Sequence, residues 1–350
     1  FIMGGDPNDI HPELWFWHSG WWQYAMMEPD VVRTRVALAL SEIFVVSEVT
    51  LPEAPLGLAN YYDMLIDNAF GNFRELLEDV TKHPSMGVYL THMNNPKSDS
   101  TLNRYPDENY AREIMQLFSI GLYELNPDGT HVLDTAGNSI PTYDNGDIAE
   151  FAKVFTGMTW GDAYVFGQDA LSELSYTVPM QMKNSWHEPG EKHLLNGFTV
   201  PNRTPVNGWA DVDDALDNLF NHPNVGPFIG RLLIQRLVTS NPSHDYIERV
   251  ALAFNNNGQG VRGDLKAVVR AILLDPEARD CNLVDDPLAG RLREPMVRWA
   301  QLCRAFNASS EKGIFRNSMD GFYEDTGQRP LASPSVFKFF QPDYQPIGPI

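Results

Sequence analysis

The sequence is short of cysteine, of positive charge and of long apolar runs. Its two cysteines, Cys281 and Cys303, allow one disulfide at most and read as small buried hydrophobes. Neither belongs to a CxxC or to a Cys/His group with zinc spacing, so no structural zinc site is expected. Lysine and arginine number 26 against 46 aspartates and glutamates, a formal charge of −20. Such an acidic balance argues against nucleic acid as a partner, because a phosphate backbone needs a basic surface. The richest apolar stretch, Val36 to Val46, contains Ser41 and Glu42 and is far shorter than the roughly 20 residues that cross a bilayer. The nucleophile elbow G-x-S-x-G, the P-loop and the fingerprint G-x-G-x-x-G are missing as well, and no cofactor is assigned.

What is present is a globular composition, 350 residues of which 43% are hydrophobic and 21% charged, enough for a sizeable core. Apolar residues at i, i+3, i+4 and i+7 predict helices over 12–27, 31–48, 58–70, 72–82, 85–93, 107–120, 146–156, 211–221, 225–238, 244–255, 262–274 and 291–306. Gly71, Gly121 and Gly157 lie just past such runs, where a left-handed residue ends a helix. Between 122 and 143, Asp128-Gly129 and Gly137-Asn138 punctuate short alternating runs, which predicts one or two β-hairpins. The expected fold is therefore mainly α, a multi-helix globular core with a small β-hairpin insert and a long irregular excursion. Its parts are an N-terminal helical part over 1–157, the excursion over 158–208 and a C-terminal helical part over 209–350, around one continuous core. A faint repeat, LEDVTKHPSMGVYL at 77–90 and LDNLFNHPNVGPFI at 216–229, reads as a recurring helix–helix junction.

Five groups of residues can carry chemistry or binding. On helix 107–120, Glu108, Asn109, Arg112, Glu113, Gln116 and Ser119 share one face, with Glu108 four before Arg112. Solvation explains such a face, yet two carboxylates and a guanidinium also suit an acid/base and anion-clamp site. On the almost wholly apolar helix from Val31, Glu42 needs a cation. Arg35, two turns earlier, or Arg112 is the expected partner, with a cost of about 3–5 kcal/mol for Glu42→Ala. In WHEPGEKHLLNG at 186–197, His187 and His193 with Glu188 and Glu191 occupy a loop whose spacing is not diagnostic of a metal. Asp128, Asp134, Asn138, Asp144 and Asp147 offer oxygens without the alternating calcium-loop pattern, so no metal ligand is assigned. Trp15, Trp17, Trp21 and Trp22 form a dense aromatic run that suits core packing from two sides, or a stacking surface for a sugar or a protein.

Taken together, RTRVALALSEIFVVS, DENYAREIMQLFSIGLYELNPDGT, IPTYDNGDIAEFAKVFTGMTW, HEPGEKHLLNG and GQRPLASPSVFKFFQPDY resemble the bacterial domain-of-unknown-function family 1800, over nearly the whole chain. Glu108, Asn109, Ala111, Arg112 and Glu113 match its most recognisable motif, and Thr156-Gly157 its second. The resemblance implies export by a signal peptide, and the opening FIMGGDP is read as the start of a processed or incomplete chain. It implies no established reaction. Relatives commonly carry a His-x-His near the end of the buried helix, where this chain has Ser41-Glu42-Ile43-Phe44. A signature concentrated on a polar helix face predicts that Glu108, Arg112 and Glu113 are buried.

Two functional classes follow. The favoured one is an exported binding or assembly component, periplasmic, extracellular or on the cell surface. Its tryptophans and its excursion would meet a protein partner or an extracellular polymer. The alternative is an exported hydrolase or oxidoreductase whose cleft gathers Glu108, Arg112, Glu113, Glu42 and His187 as catalytic candidates.

Overall fold

The computed structural model describes residues 14–286, 288–311, 315 and 321–340. Residues 12 and 13 of the first expected helix and the side chain of Trp15 lie outside what is described. The chain starts on α1 (Leu14–Met27), and Asp30 then caps α2 (Val31–Ser41) by accepting the Arg33 N–H at 3.0 Å. The periodicity predicts this helix to 48, but it stops at Ser41. Ile43, Val45 and Val46 are β-branched and disfavour continuation, and the Ile43 N–H tightens onto Leu40 O instead. Pro55 opens α3 (Pro55–Asp67), and Asn72 caps α4 (Phe73–Lys82). Next come α5 (Pro84–Tyr89), α6 (Asn109–Gln116) and α7 (Asn145–Val154), the last with a reciprocal Asp144–Asp147 capping box.

The excursion contains β1 (Met158–Thr159) paired with β2 (Gln181–Met182), and β3 (Lys192–His193) paired with β4 (Thr199–Val200). Helices resume with α8 (Gly208–Phe220), α9 (Val225–Leu237), α10 (His244–Asn255), α11 (Leu265–Leu274) and α12 (Pro276–Arg279). They end with α13 (Pro295–Ala305) and α14 (Gly321–Thr326). Fourteen α-helices against two small antiparallel sheets among the described residues make the fold mainly α, as the periodicity predicts. Buried apolar side chains form a single cluster from Trp17 to Leu331. At its centre Phe44, just past α2, packs on Phe118 at 5.3 Å and on Phe73 at 6.1 Å between ring centroids.

Residues 122–143 turn back twice, as expected, through a backbone ring rather than regular strands. Glu124 N–H donates to Ile140 O, Ile140 N–H to Val132 O and Val132 N–H to Glu124 O. The turn carboxylates are consumed locally: Asp128 accepts from Thr130 and Asp134 from Ala136 and Asn138, which holds both below the usual range. Of the three glycine stops, Gly121 and Gly157 have φ of +73° and +83°, whereas Gly71 is not left-handed. A Cβ on Gly157 would also come within 2.8 Å of the His187 nitrogen, which accounts for glycine after Thr156. Cys281 is exposed and Cys303 half-buried, and they are not bonded, so the expectation of two buried cysteines is corrected.

The repeated His-Pro segments share one device. His83 Nδ1 accepts the Ser85 N–H at 3.1 Å, and His222 Nδ1 accepts the Asn224 N–H at 3.2 Å, so each imidazole closes a helix junction. His92 is buried too, stacked on Tyr110 at 3.9 Å and bonded to Thr81 O. Burial lowers these three from an ordinary 6.5 to about 3, about 4 and about 4 for His83, His222 and His92. The unfolded imidazoles take up protons that the folded ones refuse. The contribution of these three histidines to stability is therefore full well above pH 6.5 and is lost as pH falls through 6.5 toward 4. With three such groups the slope approaches about 4 kcal/mol per pH unit near pH 5. Urea midpoints measured from pH 7.5 to 5 should fall accordingly, and a flat profile would contradict the assignment.

Candidate functional site

The polar face of the signature helix divides. Glu108 and Asn109 are exposed, and Arg112 reaches back to Glu108 at 3.2 Å as a solvent-facing pair worth a few tenths of a kcal/mol. The expected burial of Glu108 and Arg112 is thus corrected: α6 begins at Asn109, where Asp107 accepts the Asn109 N–H, and its first turn opens to solvent. Glu113, one turn later, is only 9% exposed, and its Oε2 is buried without a hydrogen bond. Burial raises the Glu113 carboxyl above its usual range, with Arg112 partly opposing. Tyr89 lies close enough that its hydroxyl, pushed up to about 12 mainly by burial, also feels the Glu113 charge.

Glu42 caps the C-terminal end of α2 with its side chain 12% exposed. Its partners are neither Arg35 nor Arg112. Lys338 Nζ donates to Glu42 Oε2 at 2.7 Å, and Arg236 of α9 donates to Glu42 O at 3.2 Å with its Nε 3.5 Å from Oε2. Burial pushes the Glu42 carboxyl up, but Lys338 and Arg236 together hold it below the usual range. Burial lowers Arg236 to about 10. Behind it, Arg291 donates to Arg236 O and pairs with Glu294, whose own carboxyl is raised by burial and by Glu42. Arg35 is half-buried beside this group, its pKa lowered by burial and by Arg291, and makes no ion pair with Glu42. The early end of α2 explains the change of partner: the chain turns at Glu42 toward α9 instead of continuing the line of Arg35.

A cavity of about 290 Å³ opens on this group. Glu42, Arg236 and Lys338 line it together with Leu117, Phe228 and Arg231. Arg236 and Lys338 escaped the sequence reading, although each is a cation set in an apolar run, GRLLIQRL and VFKFF, which is the signal that would have found them.

His187 lies elsewhere and faces neither Glu42 nor Glu113. Its Nδ1 donates to Thr156 O at 3.0 Å, and its Nε2 meets Asp211 Oδ2 at 3.1 Å and Lys192 Nζ at 3.3 Å. Lys192 and Arg203 both pair with Asp211, whose carboxyl burial raises but the hydrogen bonds from His187 and Lys192 hold below the usual range. This group fastens the excursion onto the first turn of α8. His193 is exposed on Thr199, and among the described residues no three His, Cys, Asp or Glu side chains are placed to hold a metal ion. The cleft expected to gather Glu108, Arg112, Glu113, Glu42 and His187 is therefore three separate places.

Among the described side chains, Trp17, Trp21 and Trp22 do not form an open platform. Trp22 is buried with its indole N–H on the Tyr323 hydroxyl, and Trp17 and Trp21 are buried against Tyr62. Trp17 and Trp21 nevertheless line a cavity of about 480 Å³.

Fold and site define a mainly α protein in which two groups of ionisable side chains form buried knots, the one at Glu42 beside a cavity. The chain belongs to the family described as Protein of unknown function (DUF1800), whose model matches residues 7–348. No curated protein and no solved structure matches it.

Two substitutions separate the roles of the carboxylates. Glu42→Gln leaves Arg236 and Lys338 without their counter-charge and should cost about 3–5 kcal/mol in urea unfolding, and a loss under about 1 kcal/mol would sink the pairing. Glu113→Gln removes a buried charge that has no donor on Oε2. It should leave stability unchanged or raise it by about 1 kcal/mol, whereas a loss of about 2 kcal/mol would mean the carboxylate is held by a partner.

Proposed function

We propose that the protein is an exported binding or assembly component of a cell-surface or extracellular complex, and that the excursion carries its contact surface. One observation supports this reading above the rest. Over 164–178 the side chains of Tyr164, Val165, Leu171 and Leu174 are exposed, Tyr164 to 82% and Leu174 to 63%. The loop 97–105 lies against the same excursion: Lys97 N–H donates to Trp186 O, and the Arg104 guanidinium sits 5.8 Å from the Trp186 ring centroid. That loop exposes Leu102 and Tyr105. Large apolar side chains left in water in two adjoining segments are the usual mark of an interaction face.

The backbone beneath is firmly held, so the exposure is not that of a loose loop. Gln181 Nε2 donates to the carbonyls of Trp160, Gly161 and Ala163, and Asn94 Oδ1 accepts from Thr159 and Gly167. A pre-ordered surface loses little entropy on binding. The hydrolase or oxidoreductase alternative has the acidic and arginine-lined cavity at Glu42 in its favour, but its other named residues lie apart from that cavity.

Cross-linking through Lys97 and Lys183, which flank this face, followed by mass spectrometry in source cells tests the reading. Partner peptides should attach to both lysines. The combined Tyr164→Ser, Val165→Ser, Leu171→Ser and Leu174→Ser variant should reduce that yield at least about tenfold. Unchanged yield would remove the excursion as the contact surface, and recovery of the protein only with the cytosol would remove export.

A further inference from the structure

The knot at Glu42 is out of balance. Arg35, Arg236, Arg291 and Lys338 face Glu42 and Glu294, four cations against two carboxylates, all at least half-buried. Taking charge out of water is unfavourable unless it is paired, so an excess of buried cations calls for an anion. The excess also runs against composition, since acids outnumber bases nearly two to one in this chain. Arg35 lines a different cavity, and the side of the knot that carries Arg236 and Lys338 opens on the cavity of about 290 Å³, where Arg231 joins them. Arg231 is exposed and makes no ion pair among the described residues. Arg236 is 6% exposed, and its buried Nε has no hydrogen bond.

Most of the rest of the wall is apolar, with Tyr123, His131 and Gln235 its polar members. Leu122 and Phe337 stand exposed at the lip, with Phe228 and Leu232 beside them. Phe228 packs so closely on Gly121 that a Cβ there would come within 2.7 Å of its ring, so this wall is built by a close approach that only glycine permits. A few cations at one end of an apolar pocket suit a ligand with a charged head and a hydrocarbon body. We propose that this cavity binds a small amphiphilic anion, its carboxylate or phosphate head on Arg231, Arg236 and Lys338 and its apolar part against Leu122, Phe228 and Phe337. Guanidinium groups bind either head in the same forked manner, so the two share one chemistry. This site is independent of the excursion surface and does not need that reading to hold.

Isothermal titration of the chain with octanoate, octyl phosphate and octanol tests it. At least one of the two anions should bind saturably, one per chain, at least about tenfold tighter than octanol, and added salt should weaken it. The tighter anion identifies the head group. Arg231→Gln should weaken that anion at least about fivefold without moving the urea midpoint, because Arg231 holds no other residue. Lys338→Met should weaken it further, and where that variant fails to fold the Arg231 result decides. Octanol binding as tightly as both anions, no saturable binding of either anion at millimolar concentration, or an unchanged affinity in Arg231→Gln would each overturn the proposal.

Discussion

A single carboxylate that water cannot reach well, Glu42, organises the joining of the two ends of the chain. Once the C-terminal half of α2 is buried, the group at its C-cap must find positive charge within the protein. The cations that answer come from far away, Lys338 lying 296 residues on and Arg236 194 residues on. Each of these is then itself buried and must be placed in turn. Arg291 donates to the Arg236 carbonyl and to Glu294, which stands just before α13. The ends of α2 and α9, the start of α13 and the segment at 338 thus converge because one negative charge had to be met. Hydrophobic packing alone does not choose among ways to stack apolar helices, and a chain of charges with fixed partners does.

The second knot, His187 with Lys192, Arg203 and Asp211, solves a different problem. The stretch from 158 to 208 has little regular structure and must place its backbone polar groups without helix or sheet ladders. It does so through side chains. Asn94 donates to Gln168 O, Thr156 accepts the Glu188 N–H, and Lys192 donates to Glu188 O. Asp211 in the first turn of α8 adds the favourable end of the helix dipole to its three partners. Lys192 and Arg203 are matched by Asp211 and Asp214, and none of these groups lines the cavities at Glu42 or Trp17, which makes it a fastening. The Glu42 knot has surplus cations and an opening, and that contrast separates a structural cluster from a candidate ligand site.

Helix positions were legible because period and punctuation are local. Asp30, Asn72 and Asp144 announce their helices, and Gly121 and Gly157 end theirs. The burial of Glu42 was legible as well, from the apolar residues around it. Its partner was not, because only two neighbours on the same helix or a recognised motif were at hand, and the helix ends one residue before the charge. Arg236 and Lys338 carried a readable signal, a cation inside an apolar run, but pairing across hundreds of residues is a property of the fold. The tryptophans misled in a similar way. Density along α1 says that the side chains need cover, and only the tertiary arrangement shows that Tyr62, Phe322 and Tyr323 supply it.

The two knots also bear on what the exterior presents. Lysine and arginine total 26, and Arg236, Arg291, Lys192 and Lys338 are spent inside or nearly so. Glu42, Glu294 and Asp211 go inside with them, and Glu48, Glu113 and Asp275 are buried as well, so the surface keeps roughly the acidic balance that the net charge of −20 sets. Around the apolar side chains at 164–178 that balance is mixed, with Asp169 and Glu173 in the segment and Lys97 and Lys183 at its flanks, so a complementary partner would carry an apolar centre and a rim of both signs. A rim of that kind sets the rate of encounter and its salt dependence, while the apolar centre sets how long the complex lasts. Under the acidic net charge a small anion approaching the Glu42 cavity is repelled at long range and attracted only at the mouth. Arg231, the one lining arginine that is exposed and unpaired among the described residues, is placed where that reversal has to occur.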